Sequence, residues 1–250
     1  MFNFFKNKNI FKKEGKVLKI LSGYNSRYSS IGKKSQLNII KYAKHYNFDY
    51  EFEITNNFER PFFWLKIKML IDNLKKNDYE YFFWLDADIF FCRYENILDI
   101  IDKKKNLFIV NQFFQSKNKS PYKNSKLLTW GPNTGVMLVR NCKWSLNFLE
   151  EIWNNKKYIN HSWGDNASFL DIIGYKSELT NIHQNKPKKI YLNKIQYLPG
   201  QWNSMPKLNF NNDDFHQLST FYFDPIIIHL AGMRRKNRVK FIKKYNNLFI

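Results

Sequence analysis

The sequence predicts an α/β protein in which one mixed, mainly parallel sheet carries helices on both faces. Short apolar runs alternate with amphipathic segments along most of the 250 residues, which is typical of strands alternating with helices. The aromatic run Tyr79–Leu85 ends abruptly in two carboxylates, as expected for a buried strand that reaches the ligand-binding edge of such a sheet. Apolar residues make up 44% of the chain, which is enough for a substantial core.

The individual elements follow from apolar spacing and from capping residues. Ser35 is expected to cap the first helix, and Pro61 suits the first turn of the second helix. The predicted strands are Lys16–Ser22, Asp49–Ile54, Tyr79–Leu85, Asn106–Val110, Thr134–Val139 and Pro225–His229. The predicted helices are Ser35–Tyr46, a segment from Pro61 to Leu74, Trp144–Trp153 and Asp165–Ile173. Residues Gln115–Trp130 are expected to form a long polar loop near a functional site.

Charge and cysteine content limit the environment and the partners. With 41 Lys and Arg against 21 Asp and Glu, the net charge of +20 favours nucleic acid, an acidic membrane leaflet or phosphorylated small molecules. A general bias toward lysine explains the excess equally well. The two cysteines, Cys92 and Cys142, have no zinc-type spacing and form no disulfide framework, which fits a reducing compartment.

The ends of the chain are predicted to lie outside the main domain. Residues 1–15 form a basic, aromatic tail without a signal-peptide pattern, residues 16–235 form the domain, and residues 236–250 form a basic segment expected to be helical. No stretch has the apolar length needed to cross a bilayer. We therefore expect a cytoplasmic protein, with peripheral attachment to the inner face of an anionic membrane as an alternative.

Asp86 and Asp88 are the strongest candidates for a functional site. Side chains two residues apart in an extended chain point the same way, and two buried like charges call for a cation. His229, at the end of another apolar run, is placed to complete a metal site. Two carboxylates, an imidazole and phosphate oxygens suit Mn²⁺, with Mg²⁺ as an alternative. The competing interpretations are surface aspartates and a buried histidine bonded to a backbone carbonyl.

Three weaker features accompany these residues. Gly135 permits close approach of the backbone to a ligand, and the neighbouring Asn133 offers a donor and an acceptor, although an ordinary turn also explains them. Asp165 opens a predicted helix, where it either projects into a cleft or interacts with the helix dipole. Arg234, just after Gly232, is placed to clamp a diphosphate or to lie in a solvated basic patch.

The order of these segments carries a family resemblance. The segments are Arg60–Lys66, Phe83–Asp88, Asn133–Asn141, Trp144–Trp153, Trp163–Asn166 and His229–Gly232. Taken together they resemble a GT-A glycosyltransferase of family 34, the galactosyl-, mannosyl- and xylosyltransferase group of the GMA12/MNN10 type. The resemblance extends from Leu18 to Arg235, and it implies a GT-A fold with a single Rossmann-like sheet.

The resemblance also implies roles for single residues. Asp86 and Asp88 match the family's Asp-x-Asp, which holds the metal and touches the donor, and His229 matches a further metal ligand. Arg234 lies where a lysine in some relatives reaches the diphosphate. Further donor-binding positions are Lys66, Asn133, Gly135 and Gly232. Asp165 and Asn166 match an acidic–amide pair that lines the sugar pocket, where relatives commonly carry Gln in place of Asn166. The resemblance thus makes these two the candidate catalytic residues, with Asp165 stabilising the cation-like carbon or orienting the sugar's hydroxyls.

The implied function is transfer of a hexose or pentose from a nucleoside-diphosphate sugar to a hydroxyl of a glycan or glycolipid. The resemblance implies a bound metal and retention of anomeric configuration. In an inverting alternative, Asp165 would deprotonate the acceptor. A nucleic-acid-binding protein and a sugar-phosphate nucleotidyltransferase are rival functions. Nucleic acid is not the expected partner, because the basic residues are scattered without a recognised binding motif.

Overall fold

A computed structural model describes residues 16–116, 127–175, 188–206, 215–216 and 224–250. The strands are β1 (Lys16–Tyr24), β2 (Asp49–Ile54), β3 (Tyr79–Leu85), β4 (Ile89–Phe91), β5 (Leu107–Ser116), β6 (Leu127–Arg140), β7 (Ile195–Tyr197), β8 (Phe215–His216) and β9 (Ile227–His229). The helices are α1 (Ser29–His45), α2 (Leu65–Lys76), α3 (Lys143–Asn154), α4 (Gly164–Ile173), α5 (Lys189–Leu192) and α6 (Arg235–Lys244).

The central sheet is mixed, and most of its strands run in one direction. Within the described residues it has seven strands in the order β2-β1-β3-β6-β5-β7, with β8 paired to β5. Strand β1 pairs in parallel with β2 and β3, and β5 pairs in parallel with β7, whereas β6 is antiparallel to both of its neighbours. A second sheet pairs β4 with β9. The predicted mixed, mainly parallel sheet is confirmed.

Alternate side chains of β3 enter two different cores, because successive residues of a strand face opposite sides of the sheet. Phe82 and Trp84 pack with α2, α3 and α4, while Tyr81, Phe83 and Leu85 pack with α1. Helices therefore cover both faces, and the central strand is apolar on both sides, as its continuous aromatic sequence predicts.

The C-terminal segment joins the domain through packing and hydrogen bonds. Ile242 of α6 is 4% exposed and lies in an apolar cluster with Ile31, Phe90 and Leu230. The last residue, Ile250, donates its N–H to the Phe91 carbonyl at 3.1 Å. Residues 236–250 thus contain the expected helix, and that helix packs against the domain. In the described part of the chain, no helix has the length and apolar character needed to cross a bilayer.

Three local predictions differ from the structure. Pro61 has extended backbone and precedes a 3₁₀ turn over Phe62–Trp64, so it does not lie in the first turn of α2, which begins at Leu65. Ser35 lies inside α1, which begins at Ser29, and its buried hydroxyl donates to the Ile89 carbonyl at 2.7 Å instead of capping the helix. The loop predicted over Gln115–Trp130 is too long, because β5 continues to Ser116 and β6 begins at Leu127. Residues 117–126 between these strands, and the predicted tail 1–15, lie outside the described residues.

Candidate active site

The two aspartates lie in a turn at the end of β3. Strand β3 ends at Leu85, and the chain turns over Asp86–Asp88 before entering β4, so the expected extended geometry is wrong here. The carboxylates converge nevertheless, because β4 leaves the turn toward a second sheet. Asp86 and Asp88 each offer a carboxylate oxygen and His229 offers an imidazole nitrogen, and these three atoms all lie within 4.8 Å of one another.

His229 reaches the aspartates through the pairing of β9 with β4. It lies opposite Ile89 in this antiparallel pair, and its N–H donates to the Ser204 carbonyl at 2.8 Å. The imidazole Nε2 is 3.4 Å from Asp88 Oδ1 and 3.7 Å from Asp86 Oδ2. A late strand in the sequence thus completes the acidic site.

A chain of amide contacts determines which imidazole nitrogen carries the proton. The Asn133 Oδ1 accepts from the Gly135 N–H at 3.0 Å and from the Asn203 Nδ2 at 3.1 Å. The Asn203 Oδ1 therefore faces His229 Nδ1, at 2.9 Å, and accepts a hydrogen bond from it. In the neutral form that can bind a metal, His229 keeps this Nδ1 proton, and the lone pair on Nε2 points at the two carboxylates.

These side chains fit a divalent cation. Two carboxylate oxygens and the Nε2 lone pair are acceptors that face one another at short range, and a cation is what such an arrangement requires. Oxygen and imidazole ligands suit Mn²⁺, and Mg²⁺ is the alternative. Asp86 is 30% exposed at its side chain, so the site opens toward solvent on that side.

Asp88 is held ionised by its neighbours. Burial opposes its charge, but His229 carrying a proton on Nε2, Arg238 and the Tyr28 hydroxyl outweigh burial and lower the pKa of Asp88 to about 2 in the metal-free protein. The Arg238 Nε lies 3.0 Å from Asp88 Oδ2, whereas His229 faces the other oxygen. The two oxygens of this carboxylate therefore have different partners.

A bulge in β6 forms the floor of the site. Strand β5 pairs Ile109 with Met137 and the next residue, Val110, with Asn133, so the β6 residues between these partners have no counterpart in β5. Gly135 lies in this bulge, and a Cβ there would come 2.2 Å from His229 Cε1 and 2.9 Å from Asp86 Oδ2. The site requires glycine at this position because the side chains of His229 and Asp86, two candidate metal ligands, lie directly against its backbone.

Lys66 joins two acidic residues inside the protein. Its side chain is 5% exposed, and its Nζ lies 3.1 Å from Asp86 Oδ1 and 3.2 Å from Asp165 Oδ2. Burial lowers the pKa of Lys66, but Asp165 and Asp86 outweigh burial and raise it overall. Trp84 adds a hydrogen bond from its indole Nε1 to Asp86 Oδ1 at 2.7 Å. Asp86 is thus oriented from behind by two donors.

Asp165 and Asn166, at the start of α4, hold the β6 bulge. The Thr134 hydroxyl donates to Asp165 Oδ2 at 2.8 Å, and the Thr134 N–H donates to Asn166 Oδ1 at 2.8 Å. Burial raises the pKa of Asp165 more than Lys66 lowers it. Both side chains therefore face the β6 bulge, and neither is among the described residues that line the adjoining cavity.

A cavity of about 420 Å³ opens in front of these groups. Five of the residues predicted for the site line it: Lys66, Asp86, Asp88, His229 and Gly232. Asn133 and Gly135 lie directly behind the metal ligands. Arg234 is exposed at the start of α6 and is not among the described lining residues, whereas Arg238 is.

A family model described as galactosyl transferase GMA12/MNN10 matches residues 17–193, which is more than half of the chain. The chain belongs to the GMA12/MNN10 family. The matched region includes Lys66, Asp86, Asp88 and Asp165, while His229 lies beyond it.

The curated relatives that this chain matches are distant and longer. The chain is 26% identical over 185 residues to galactomannan galactosyltransferase 1 of Cyamopsis tetragonoloba, covering 66% of this chain and 38% of that protein. It is 29% identical over 154 residues to "Probable glycosyltransferase 6" of Oryza sativa subsp. indica, covering 56% of this chain and 30% of that protein. The chain thus matches only about a third of the length of these relatives.

A solved structure agrees with the GT-A fold expected of the GMA12/MNN10 member. This structure is a glycosyltransferase involved in glycosylation of the major capsid of PBCV-1. The match covers 91% of this chain and 99% of that chain, with a TM-score of 0.58 and 15% sequence identity. At this identity the likeness concerns the fold.

Sequence reasoning missed several residues that shape the site. They are Tyr28, Trp84, Thr134, Asn203 and Arg238. Thr134 stands between Asn133 and Gly135, which the sequence already predicts for the site, so its position in the sequence could have identified it. Asn203 and Arg238 stand in no motif, and only the fold brings them to the aspartates.

Proposed function

We propose that this protein is a metal-dependent glycosyltransferase. It transfers a hexose or pentose from a nucleoside-diphosphate sugar to a hydroxyl of a glycan or glycolipid, with retention of anomeric configuration. Family membership and the GT-A fold support the reaction class. The observation that carries the proposal is the convergence of Asp86, Asp88 and His229 on the wall of a cavity about 420 Å³ in volume.

The metal ligands serve the leaving group. A divalent cation held by Asp86, Asp88 and His229, Mn²⁺ or alternatively Mg²⁺, would supply Lewis-acid stabilisation of the charge that develops on the departing diphosphate. The chain orients its own ligands in advance, because Trp84 and Lys66 hold Asp86 while Arg238 holds Asp88. The ligands therefore need little reorganisation when the donor binds.

Lys66 provides fixed positive charge beside the cavity. It is buried, borders the cavity and is kept charged by Asp165 and Asp86. A preorganised ammonium near the diphosphate or the sugar hydroxyls stabilises the polar transition state without solvent rearrangement. Asp165 acts through Lys66 in this arrangement, as a positioning residue.

The contacts of Asp165 favour retention over the inverting alternative. A base for the acceptor must come within hydrogen-bonding reach of the attacking hydroxyl. Asp165 is 2% exposed, and its Oδ2 already accepts from Thr134 and pairs with Lys66. These partners support a structural and electrostatic task for Asp165 more than proton abstraction from an acceptor.

The test is a donor and acceptor screen read by product mass spectrometry. UDP- and GDP-linked sugars are offered with Mn²⁺ or Mg²⁺ and a panel of oligosaccharide and lipid-linked acceptors. UDP-galactose comes first, because the Cyamopsis relative is named a galactosyltransferase. Product anomericity by NMR decides retention, and an inverted product would contradict that part of the proposal.

Asp88→Ala is the matched variant, and we expect it to lower transfer by at least about 100-fold because a metal ligand is lost. Asp72→Ala removes an exposed acid of α2 that pairs with Lys68, and it should leave transfer unchanged. Full activity in Asp88→Ala would refute the metal site. Consumption of a nucleoside triphosphate with a sugar phosphate, in place of transfer, would favour the nucleotidyltransferase alternative.

A further inference from the structure

Arg238 reaches from α6 to a metal-ligating aspartate. Its Nε lies 3.0 Å from Asp88 Oδ2 and also donates to the Leu230 carbonyl at 2.9 Å. Its guanidinium lies over the Tyr28 ring, with Cζ 5.3 Å from the ring centroid. The Arg238 side chain is 17% exposed and borders the cavity, so part of this planar group faces the space where a ligand would bind.

The charges around the proposed metal site are nearly balanced before a metal arrives. Asp86 and Asp165 share Lys66, and Asp88 is paired with Arg238. With His229 in the neutral form that binds a metal, three carboxylates face two cations, which leaves one net negative charge. A divalent cation added alone makes the cluster positive, whereas a cation that arrives with an anionic diphosphate restores negative charge.

We propose that Arg238 couples binding of the divalent cation to binding of the donor's diphosphate. This inference rests on the proposed function and assigns part of its ligand recognition to α6. A cation bound to Asp88 Oδ1 would lie close to the Arg238 guanidinium, which pairs with Oδ2. Because the two positive charges repel each other, Arg238 weakens binding of the cation when no diphosphate is present. When a diphosphate is also bound, the same guanidinium is attracted to it and stabilises the pair.

The residue type fits this task. A guanidinium has five N–H donors in a fixed plane, so it can keep its Nε contact with Asp88 while other N–H groups serve phosphate oxygens. Burial of most of the side chain strengthens these interactions relative to those of an exposed arginine. Arg234, at the start of the same helix, is exposed outside the cavity.

The experiment measures Mn²⁺ affinity by titration calorimetry, with and without saturating UDP. We expect Arg238→Gln to bind Mn²⁺ alone about tenfold more tightly than the wild-type protein, because a nearby positive charge is removed. The gain in Mn²⁺ affinity caused by UDP should be at least about fivefold smaller in Arg238→Gln than in the wild type.

Matched variants separate charge from folding. Arg238→Met also removes the positive charge but keeps an apolar stem beside Tyr28, and it should give the same result as Arg238→Gln. If one of the two variants fails to fold, the other still provides the test. Arg238→Lys keeps the charge, so it should bind Mn²⁺ alone about as the wild type does. Lys240→Gln removes one exposed positive charge from the same helix and should change neither affinity.

The outcomes distinguish two failures. In the first, the wild-type protein binds Mn²⁺ and UDP, but Arg238→Gln and Arg238→Met bind Mn²⁺ alone no more tightly than the wild type does. This result would overturn only the role of Arg238. A wild-type protein that binds no Mn²⁺ with or without UDP would overturn both this inference and the proposed metal site.

Discussion

Asp88 is the residue on which most of the site's electrostatics depends. It is buried, and its two carboxylate oxygens have separate partners in His229 and Arg238. A buried carboxylate is stable only when such partners offset its lost hydration. A residue proposed to bind the metal therefore also contributes to the stability of the metal-free protein.

The lowered pKa of Asp88 predicts a pH-dependent stability. Its pKa falls from 3.8 to about 2 in the folded state, so its contribution is fully present above about pH 4 and is lost as pH falls toward 2. We expect the free energy of unfolding of metal-free Asp88→Asn to be about 2 kcal/mol lower than that of the wild-type protein at pH 6. Urea titrations from pH 6 to pH 2 should show this difference shrinking; a constant difference would contradict it.

Gly135 carries a second prediction at the scale of single residues. In Gly135→Ala the new methyl group would meet His229 and Asp86, at distances of 2.2 and 2.9 Å. We expect Mn²⁺ binding to weaken by at least about tenfold because the ligands are displaced. Gly131→Ala is the control, since its Cβ would lie 3.1 Å from the flexible end of Leu170. Equal Mn²⁺ affinities in the two variants would refute this steric argument.

At the scale of elements, two contacts of α1 and one of α6 position the turn over Asp86–Asp88, the proposed metal-binding turn. Ser35 and Asn38 of α1 bond to the backbone of β4, the strand that follows Asp88. Arg238 of α6 forms an ion pair with Asp88 itself. The turn is thus held by helices distant in sequence, and disturbing those contacts should affect both stability and metal binding.

Asn38 tests this connection. Its Oδ1 accepts from the Phe91 N–H at 2.6 Å, and its Nδ2 donates to the carbonyls of Phe91 and Ile250 at 3.0 and 3.1 Å. Asn38→Ala leaves buried backbone groups unpaired and should cost about 2–3 kcal/mol of unfolding free energy. Lys41→Ala, on the exposed side of α1, should change stability by less than about 0.5 kcal/mol in the same denaturant titration. A stable Asn38→Ala protein would mean that water replaces these bonds.

At the scale of the whole molecule, the C-terminal segment packs on the domain with its apolar side chains. Val239, Phe241 and Phe249 pack against the cluster around Ile242. Because these side chains are packed against the domain in the folded protein, the basic residues of the segment are the groups available to an anionic surface.

We therefore expect Phe241→Ser to lower the melting temperature by several degrees and to leave pelleting with anionic vesicles unchanged. Loss of partly buried apolar area accounts for the first effect. Thermal unfolding and vesicle sedimentation measure the two outcomes. Reduced pelleting with an unchanged melting temperature would instead support the membrane role predicted from the sequence.

The sequence by itself determined the order of the longer strands and helices, the buried aromatic strand β3 and the acidic pair that follows it, but it did not predict the short elements β4, β7, β8 and α5. These features depend on the spacing of neighbouring side chains, which a local pattern records. His229 was found because it, too, ends an apolar run. The family match confirms the kind of fold that this order predicts.

Only the tertiary structure decided which residues of the site contact one another. The turn over Asp86–Asp88, the bulge at Gly135 and the partner of each oxygen of Asp88 depend on contacts between segments far apart in the chain. Arg238 and Asn203 illustrate the physical reason: their roles come from position in space, and nothing in their neighbouring residues distinguishes them from other polar side chains.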